Sequence, residues 1–290
     1  MLQVKEEFDT YDEWKENYDK VVRDIKDKLI YSSYRDWSEK IMTFEPENKL
    51  EEILMTAATD PSARYDFYKE LVGSNIYTIQ YGSETDTNEG VLKEGSSIQL
   101  LNIEINQKLY IPIFTSLRRL QEAIDQEVNY CSMNAVEFFQ LTRGADVFLN
   151  PTSSYGKEFT AAEIESILDG SIFGPSQEYE VQQETEVMIG QPAIKPKELL
   201  DALSKLFADM KEVKLAYHAH FFNPQMDEKS HTLIALEVND NMNEIVAKAG
   251  MVVNSVHVPD PPVTFIQLDG SSGLEDYFKS NVKPFYKGYD

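Results

Sequence analysis

The chain has 290 residues, 42% of them hydrophobic and 11% aromatic, and its 27 Lys and Arg face 50 Asp and Glu for a net charge of −23. That length points to two domains, and that apolar content to packed cores rather than a disordered chain. The acidity opposes nucleic acid and anionic membrane surfaces, and the basic residues are scattered among acids, as in Arg118-Arg119 followed by Glu122 and Asp125, so neither partner is expected.

Residues 1–46 read as an appended amphipathic helical segment. Thr10-Tyr11-Asp12-Glu13 is a capping box, and Tyr11, Trp14, Tyr18, Val22, Ile25 and Leu29 recur every three or four residues, on one helical face. Such a stripe needs cover, from the protein's own body or from a partner, so these six are candidate partner contacts. A helix from Lys49 turns Leu50, Ile53 and Leu54 inward. Asp60-Pro61 caps a restart, Phe67 and Leu71 continue the stripe, and Gly73 is expected to end it in a left-handed conformation. Strands are expected at 75–81, 97–106 and 108–114, with an acidic loop at 83–95 and a tight turn at Asn106-Gln107. Pro112 lacks a backbone donor, so its strand is expected at an edge or interrupted there. Ser116 caps a helix carrying Leu117, Leu120 and Ile124. Residues 133–141 read as a helix and 145–149 as a short strand. The polar loop 150–158 then feeds a helix opened by the capping box Thr160-Ala161-Ala162-Glu163 and closed by Gly170.

Residues 174–184 read as a linker between a domain over 47–173 and one over 185–290. The second half reads as a strand at 179–189 and a helix from Pro196 with Leu199, Leu203, Leu206 and Met210 in register. Strands at 213–222 and 231–238 follow, then a helix at 241–253 capped by Asp240, a strand at 263–268 and a final helix at 273–280. The order β-α-β-β-α-β is that of a ferredoxin-like unit. The expected class is therefore α/β (α+β), a mixed-sheet α/β domain followed by a ferredoxin-like domain.

Four segments carry a resemblance. They are Asn48-Lys49-Leu50-Glu51-Glu52-Ile53-Leu54, Asp60-Pro61-Ser62-Ala63-Arg64-Tyr65-Asp66-Phe67, Ile111-Pro112-Ile113-Phe114-Thr115-Ser116 and Asn150-Pro151-Thr152-Ser153-Ser154-Tyr155-Gly156-Lys157. In the second half, Ile189-Gly190-Gln191-Pro192, Pro196, Val213-Lys214-Leu215-Ala216-Tyr217 and Pro284-Phe285-Tyr286 follow in order. Over residues 47–290 the chain resembles the SseB-like family, named for enhanced serine sensitivity. The name records a phenotype, not a reaction. The resemblance implies the two-domain layout and an accessory or regulatory cytoplasmic protein, and it supplies no catalytic residues.

The loop Asn150–Glu158 is the leading ligand candidate. It follows a strand and opens a helix, where α/β folds place ligands, and helix amides with Lys157 suit an anion. Thr115 and Ser116 end another strand beside a helix. The candidate ligand residues are therefore Thr115, Ser116, Asn150, Ser153, Ser154, Gly156 and Lys157, and a rigid structural turn is the competing reading. The loop is not a phosphate-binding P-loop, since a glycine is missing and Glu158 follows the lysine. His218 and His220 share a strand face. If the hairpin sets His231 opposite Phe222, three histidines share it, a weak metal candidate that a one-residue slip removes.

No cofactor is expected and no catalytic set is found. Cys131, the single cysteine, excludes an internal disulfide and reads as a buried spectator. The first residues lack the apolar stretch of a signal peptide, and no run nears the roughly 20 apolar residues of a membrane span, so a cytoplasmic location is expected. The leading function is an accessory protein acting through an unidentified protein partner. The alternatives are an anionic-metabolite protein or enzyme using the 150–157 loop, and a homo-oligomer subunit.

Overall fold

The structure, a computed structural model, describes residues 11–34, 44–81, 99–174, 187–192, 195–225, 227–270 and 273–288, and within 11–34 the side chains of 15–29 only. It divides into two compact units, Met1–Thr59 with Asp66–Asp169, and Asp60–Tyr65 with Gly170–Asp290. The expected loop at 83–95 and linker residues 175–184 lie outside the described residues.

In the first unit, β1 (Asn75–Tyr81) pairs antiparallel with β4 (Lys108–Phe114) on one side and with β5 (Tyr130–Asn134) on the other. β4 also pairs parallel with β6 (Val147–Leu149), which pairs antiparallel with β7 (Lys157–Phe159). The strand expected over 97–106 breaks into β2 (Gln99–Leu100) on β1 and β3 (Ile103–Ile105) on β4. Pro112 explains the break. It lies inside the sheet, not at an edge, and its missing donor falls on the β1 side, where pairing stops at Thr78↔Ile113. The Ile79 carbonyl takes Leu101 N–H instead (3.1 Å), and β2 pairs the rest of β1. The Asn106-Gln107 turn forms as expected, with φ of 52° and 66°, the left-handed pair of a two-residue hairpin.

Both faces of this sheet are covered. Phe67 and Phe139, from the helices Arg64–Gly73 and Ala135–Leu141, meet Phe159 of β7 on one face, with Phe138 buried beside Phe139. On the other, helix Tyr11–Tyr34 and helix Leu117–Ala123 pack over Ile79, Tyr110 and Phe114. Two local expectations are corrected. Met133 and Asn134 belong to β5, and Asn134 caps the helix that follows by accepting from Val136 N–H. Gly73 is not left-handed.

In the second unit, β9 (Val213–Phe222) and β10 (His231–Val238) form a long hairpin, and β10 pairs parallel with β11 (Val263–Gln267). Short β8 (Met188–Gly190) and β12 (Tyr286–Lys287) both pair with β9. The α/β class holds, but the ferredoxin-like pairing does not form. A split unit would insert the first strand between β10 and β11; here those two are direct neighbours, crossed over by the helix Met242–Val253, and β8 lies on β9. Helices Lys197–Ala208 and Met242–Val253 bury Leu199, Leu203, Phe207, Ile245 and Ala249 on one face. Phe278 and Val282 cover the other with Tyr217, Phe221 and Leu233. Asp240 is not the expected cap: Asn241, at φ 60°, holds that place.

Candidate functional site

The sequence-predicted polar residues of the first unit converge on one carboxylate. Glu51 lies at the start of helix Lys49–Thr59 and is completely buried. Asn48 caps that helix by accepting from Glu51 N–H (3.0 Å), and Glu51 reaches back to accept from Glu47 N–H (3.0 Å). Its Oε1 accepts from the hydroxyls of Thr115 (2.6 Å) and Ser116 (3.0 Å), and its Oε2 from Arg119 Nη2 (2.9 Å) and Nε (3.3 Å).

Each partner is itself held. Ser116 caps helix Leu117–Ala123 through Arg119 N–H, one turn before the arginine, so cap and guanidinium face the same carboxylate. Asn150, in the left-handed conformation at φ 48°, accepts from Thr115 N–H (3.0 Å) and donates to its hydroxyl (3.0 Å). Asn48 donates to Thr115 O (2.9 Å). Arg119 also donates to Glu122 (2.8 Å) and to the carbonyl of Glu45, and its guanidinium lies 3.9 Å from the Phe44 ring centre. Phe44 packs edge-on against Tyr155. Burial raises the Glu51 pKa, but hydrogen bonds from Arg119, Thr115 and the Glu47 amide outweigh it and hold the carboxyl below its usual range.

Thr115, Ser116 and Asn150 are thus brought together, but around Glu51 and each other rather than around an opening. Thr115 is 3% exposed and Asn150 1%. Lys157 and Glu158, expected in the loop, instead begin β7, Lys157 opposite Leu149, so residues 150–156 form a hairpin connection. Its ammonium pairs with Glu163 (2.9 Å) and lies over the Phe159 ring, and Glu163 also accepts from Tyr68 OH (2.5 Å). The following helix begins at Ala161, where Thr160 accepts from Glu163 N–H and Asp146 from Ala161 N–H. Lys157 and the Ala161 and Glu163 amides, on which the anion reading of this loop relied, are thus engaged within the chain, as the rigid-turn reading has it. Ser153 accepts from Tyr155 N–H, and Ser154 sits half-buried beside it. Gly156 is needed for closeness: a Cβ there would stand 2.8 Å from Asn150 O.

The histidine expectation fails by one residue of register. His231 pairs with Phe221, not Phe222, and so lies on the sheet face opposite His218 and His220. It contacts Thr264 Oγ1 (2.9 Å), while His220 pairs with Asp260 (3.1 Å). Among the described residues no three His, Cys, Asp or Glu are grouped to hold a metal. Cys131 is half-buried on β5, and burial pushes its thiol pKa up. The second unit has a cleft of about 570 Å³ lined by Tyr65, Phe173, Gln267 and residues 239–244, none of them predicted from sequence. Among the described residues no helix is long and apolar enough to cross a membrane.

The partner stripe on helix Tyr11–Tyr34 is turned inward. Ile25 is fully buried with Val21, which the sequence reading missed, and Tyr18, Val22 and Leu29 pack half-buried on the same core. Ile25 is therefore not open to a partner while the helix stays docked. The side chains of Tyr11 and Trp14 lie outside the described ones. Glu51 and Arg119 were missed too. Their signal was present: Glu51 shares the inward face of Leu50 and Leu54, and Arg119 stands three residues after a cap.

The segments that build the Glu51 cluster fall in or beside one matched domain. The SseB protein N-terminal domain matches residues 50–166, and the SseB protein C-terminal domain matches residues 181–287. The protein named Protein SseB from Escherichia coli (strain K12) is 30% identical over 246 residues, covering 84% of this chain and 93% of the relative. Protein SseB from Shigella flexneri matches to the same extent, 30% over 246 residues. No solved structure matches the chain. With two successive domains matched and a relative covered almost end to end, this chain belongs to the SseB family.

Proposed function

We propose that this protein is a non-enzymatic cytoplasmic accessory or regulatory protein that acts by protein–protein contact. One observation carries the reading. Glu51, Thr115, Ser116 and Asn150 of the family segments, polar groups that an enzyme would aim at substrate, are buried and bonded to one another and to Arg119. Groups satisfied in this way fix a fold and have little capacity left for a ligand. The charge of −23 favours basic or neutral protein surfaces, and the single cysteine fits a reducing compartment.

The test is capture of the tagged chain's partners from native lysate, against an acidic control protein of matched charge. A partner recovered in fixed ratio, and recovered again when the partner carries the tag, supports the reading. Repeated failure to recover one, together with a metabolite that stabilises the pure chain, overturns it. At about 100 times its Kd a ligand adds roughly 2.7 kcal/mol, a shift of several degrees.

A further inference from the structure

Helix Tyr11–Tyr34 lies outside both matched domains, the first of which begins at residue 50. It nevertheless fills an apolar groove of the first unit. Val21 and Ile25 are fully buried in one cluster with Tyr81, Leu101, Ile103, Tyr110, Leu120 and Ile124. Its grip is narrow. Among residues 15–29 only these two are fully covered. The polar ties sit mostly at the rim: Tyr18 OH donates to Asn102 O (2.9 Å), Lys28 Nζ donates to Asp125 Oδ1 (2.8 Å) and Glu122 O (3.0 Å), and Asp24 accepts from Asp125 N–H (3.2 Å) and Gln126 Nε2 (3.4 Å). All but the Gln126 contact are exposed to solvent, and the Lys28–Asp125 pair is screened by salt. An element held this way opens at lower cost than one hydrogen-bonded into a sheet.

The helix in place defines what the groove accepts. It presents two aliphatic side chains four residues apart, a hydroxyl-bearing aromatic three before the first, and a base three after the second. We infer that this groove is a helix-docking site, closed by the chain's own Tyr11–Tyr34 helix, which a basic amphipathic helix of a partner protein occupies by displacing it. Asp125 at the rim and the net charge of −23 select a basic helix over an acidic one. The inference rests on the partner-contact reading, and its test addresses the groove separately.

The experiment uses the full chain with Val21→Asp and Ile25→Asp, which removes the two buried anchors. The probe is a fluorescein-labelled peptide of residues 15–29 with Asp19→Lys and Asp27→Lys, both exposed positions. The expected result is a saturable anisotropy rise, with affinity at least about tenfold above that for the unaltered chain, because the groove is then open. A double variant that keeps its circular dichroism and mass yet binds no peptide overturns the inference. If the double variant unfolds, Tyr18→Phe with Lys28→Glu loosens only the rim; a gain of about tenfold in probe affinity supports the inference, and no gain overturns it. Self-association of the unaltered chain that the peptide reverses would assign the groove to a second copy and overturn the partner. Partner capture unchanged by the double variant would remove the groove while leaving the partner-contact reading intact.

Discussion

The two units bury ionisable groups in opposite ways. In the first, Glu51 is fully enclosed, yet both its oxygens are saturated by Arg119, Thr115, Ser116 and a backbone amide, and it stays charged. In the second, His218 is 5% exposed and its Nε2 has no hydrogen-bond partner among the described residues. Burial, then the neighbouring His220 and Lys195, depress its pKa to about 4 against a slight opposing pull from Asp260, so it stays neutral. The difference teaches how each unit tolerates polarity at its core. A charge is kept only with a complete set of partners, and a group without one gives up its charge.

The largest effect should come from breaking the first arrangement. Glu51→Ala leaves Arg119 buried without its carboxylate, and Arg119→Ala does the reverse. Either should cost about 3–5 kcal/mol in denaturant unfolding. Replacing both with apolar residues, Glu51→Leu with Arg119→Met, should recover most of that loss. If the single changes cost no more than an exposed pair would, Glu51 does not hold the segments together.

The second arrangement is broken by acid. His218 has a folded pKa of about 4 against an ordinary 6.5, so between those values the unfolded chain binds the extra proton. Its contribution is complete above pH 6.5 and is lost as pH falls toward 4, a difference of about 3 kcal/mol. His231, also depressed by burial, adds loss of the same sign. Glu51, whose folded pKa is lowered, starts to lose its contribution only as pH falls below the ordinary 4.5 and completes the loss as pH falls through its folded value. Stability measured from pH 7 to 4 should therefore decline first through the second unit. A His218→Leu chain should show a flatter profile and, at pH 7, a stability equal to or up to about 1 kcal/mol above the unaltered chain. An unchanged profile would mean that His218 finds a proton partner when acidified.

Gly156→Ala sharpens the comparison by straining the loop behind Asn150 without touching a charge. Its Cβ would meet the Asn150 carbonyl at 2.8 Å, and the expected cost is about 1–3 kcal/mol. Lys157→Ala should cost least, about 0–1 kcal/mol, since its pair with Glu163 is partly open to water. A much larger loss at Lys157 would extend the buried cluster to that pair.

Much of the local structure was legible along the chain. Asp60, Ser116 and Thr160 cap where their side chains can reach an amide two or three residues on, and the Asn106-Gln107 turn forms between the strands expected on either side. These depend on neighbours within a few residues, which the sequence displays directly. The errors arose where a distant segment decides. Met133 and Asn134 form a strand because β1 lies alongside, and Lys157 starts β7 because β6 does. The β9–β10 register, one residue from the symmetric guess, sends His231 to the opposite face from His220.

The sequence by itself determined the family, the α/β class, the caps at Asp60, Ser116 and Thr160 and the net acidity, since each depends on residue identity and short spacing. Only the tertiary structure decided what the family segments do. Asn48, Glu51, Thr115, Arg119 and Asn150 lie up to 102 residues apart, and nothing in their spacing shows that they gather around one buried carboxylate. It also decided the strand order of the second unit and what covers the apolar face of the first helix, because pairing and burial belong to segments that meet only after the chain has folded.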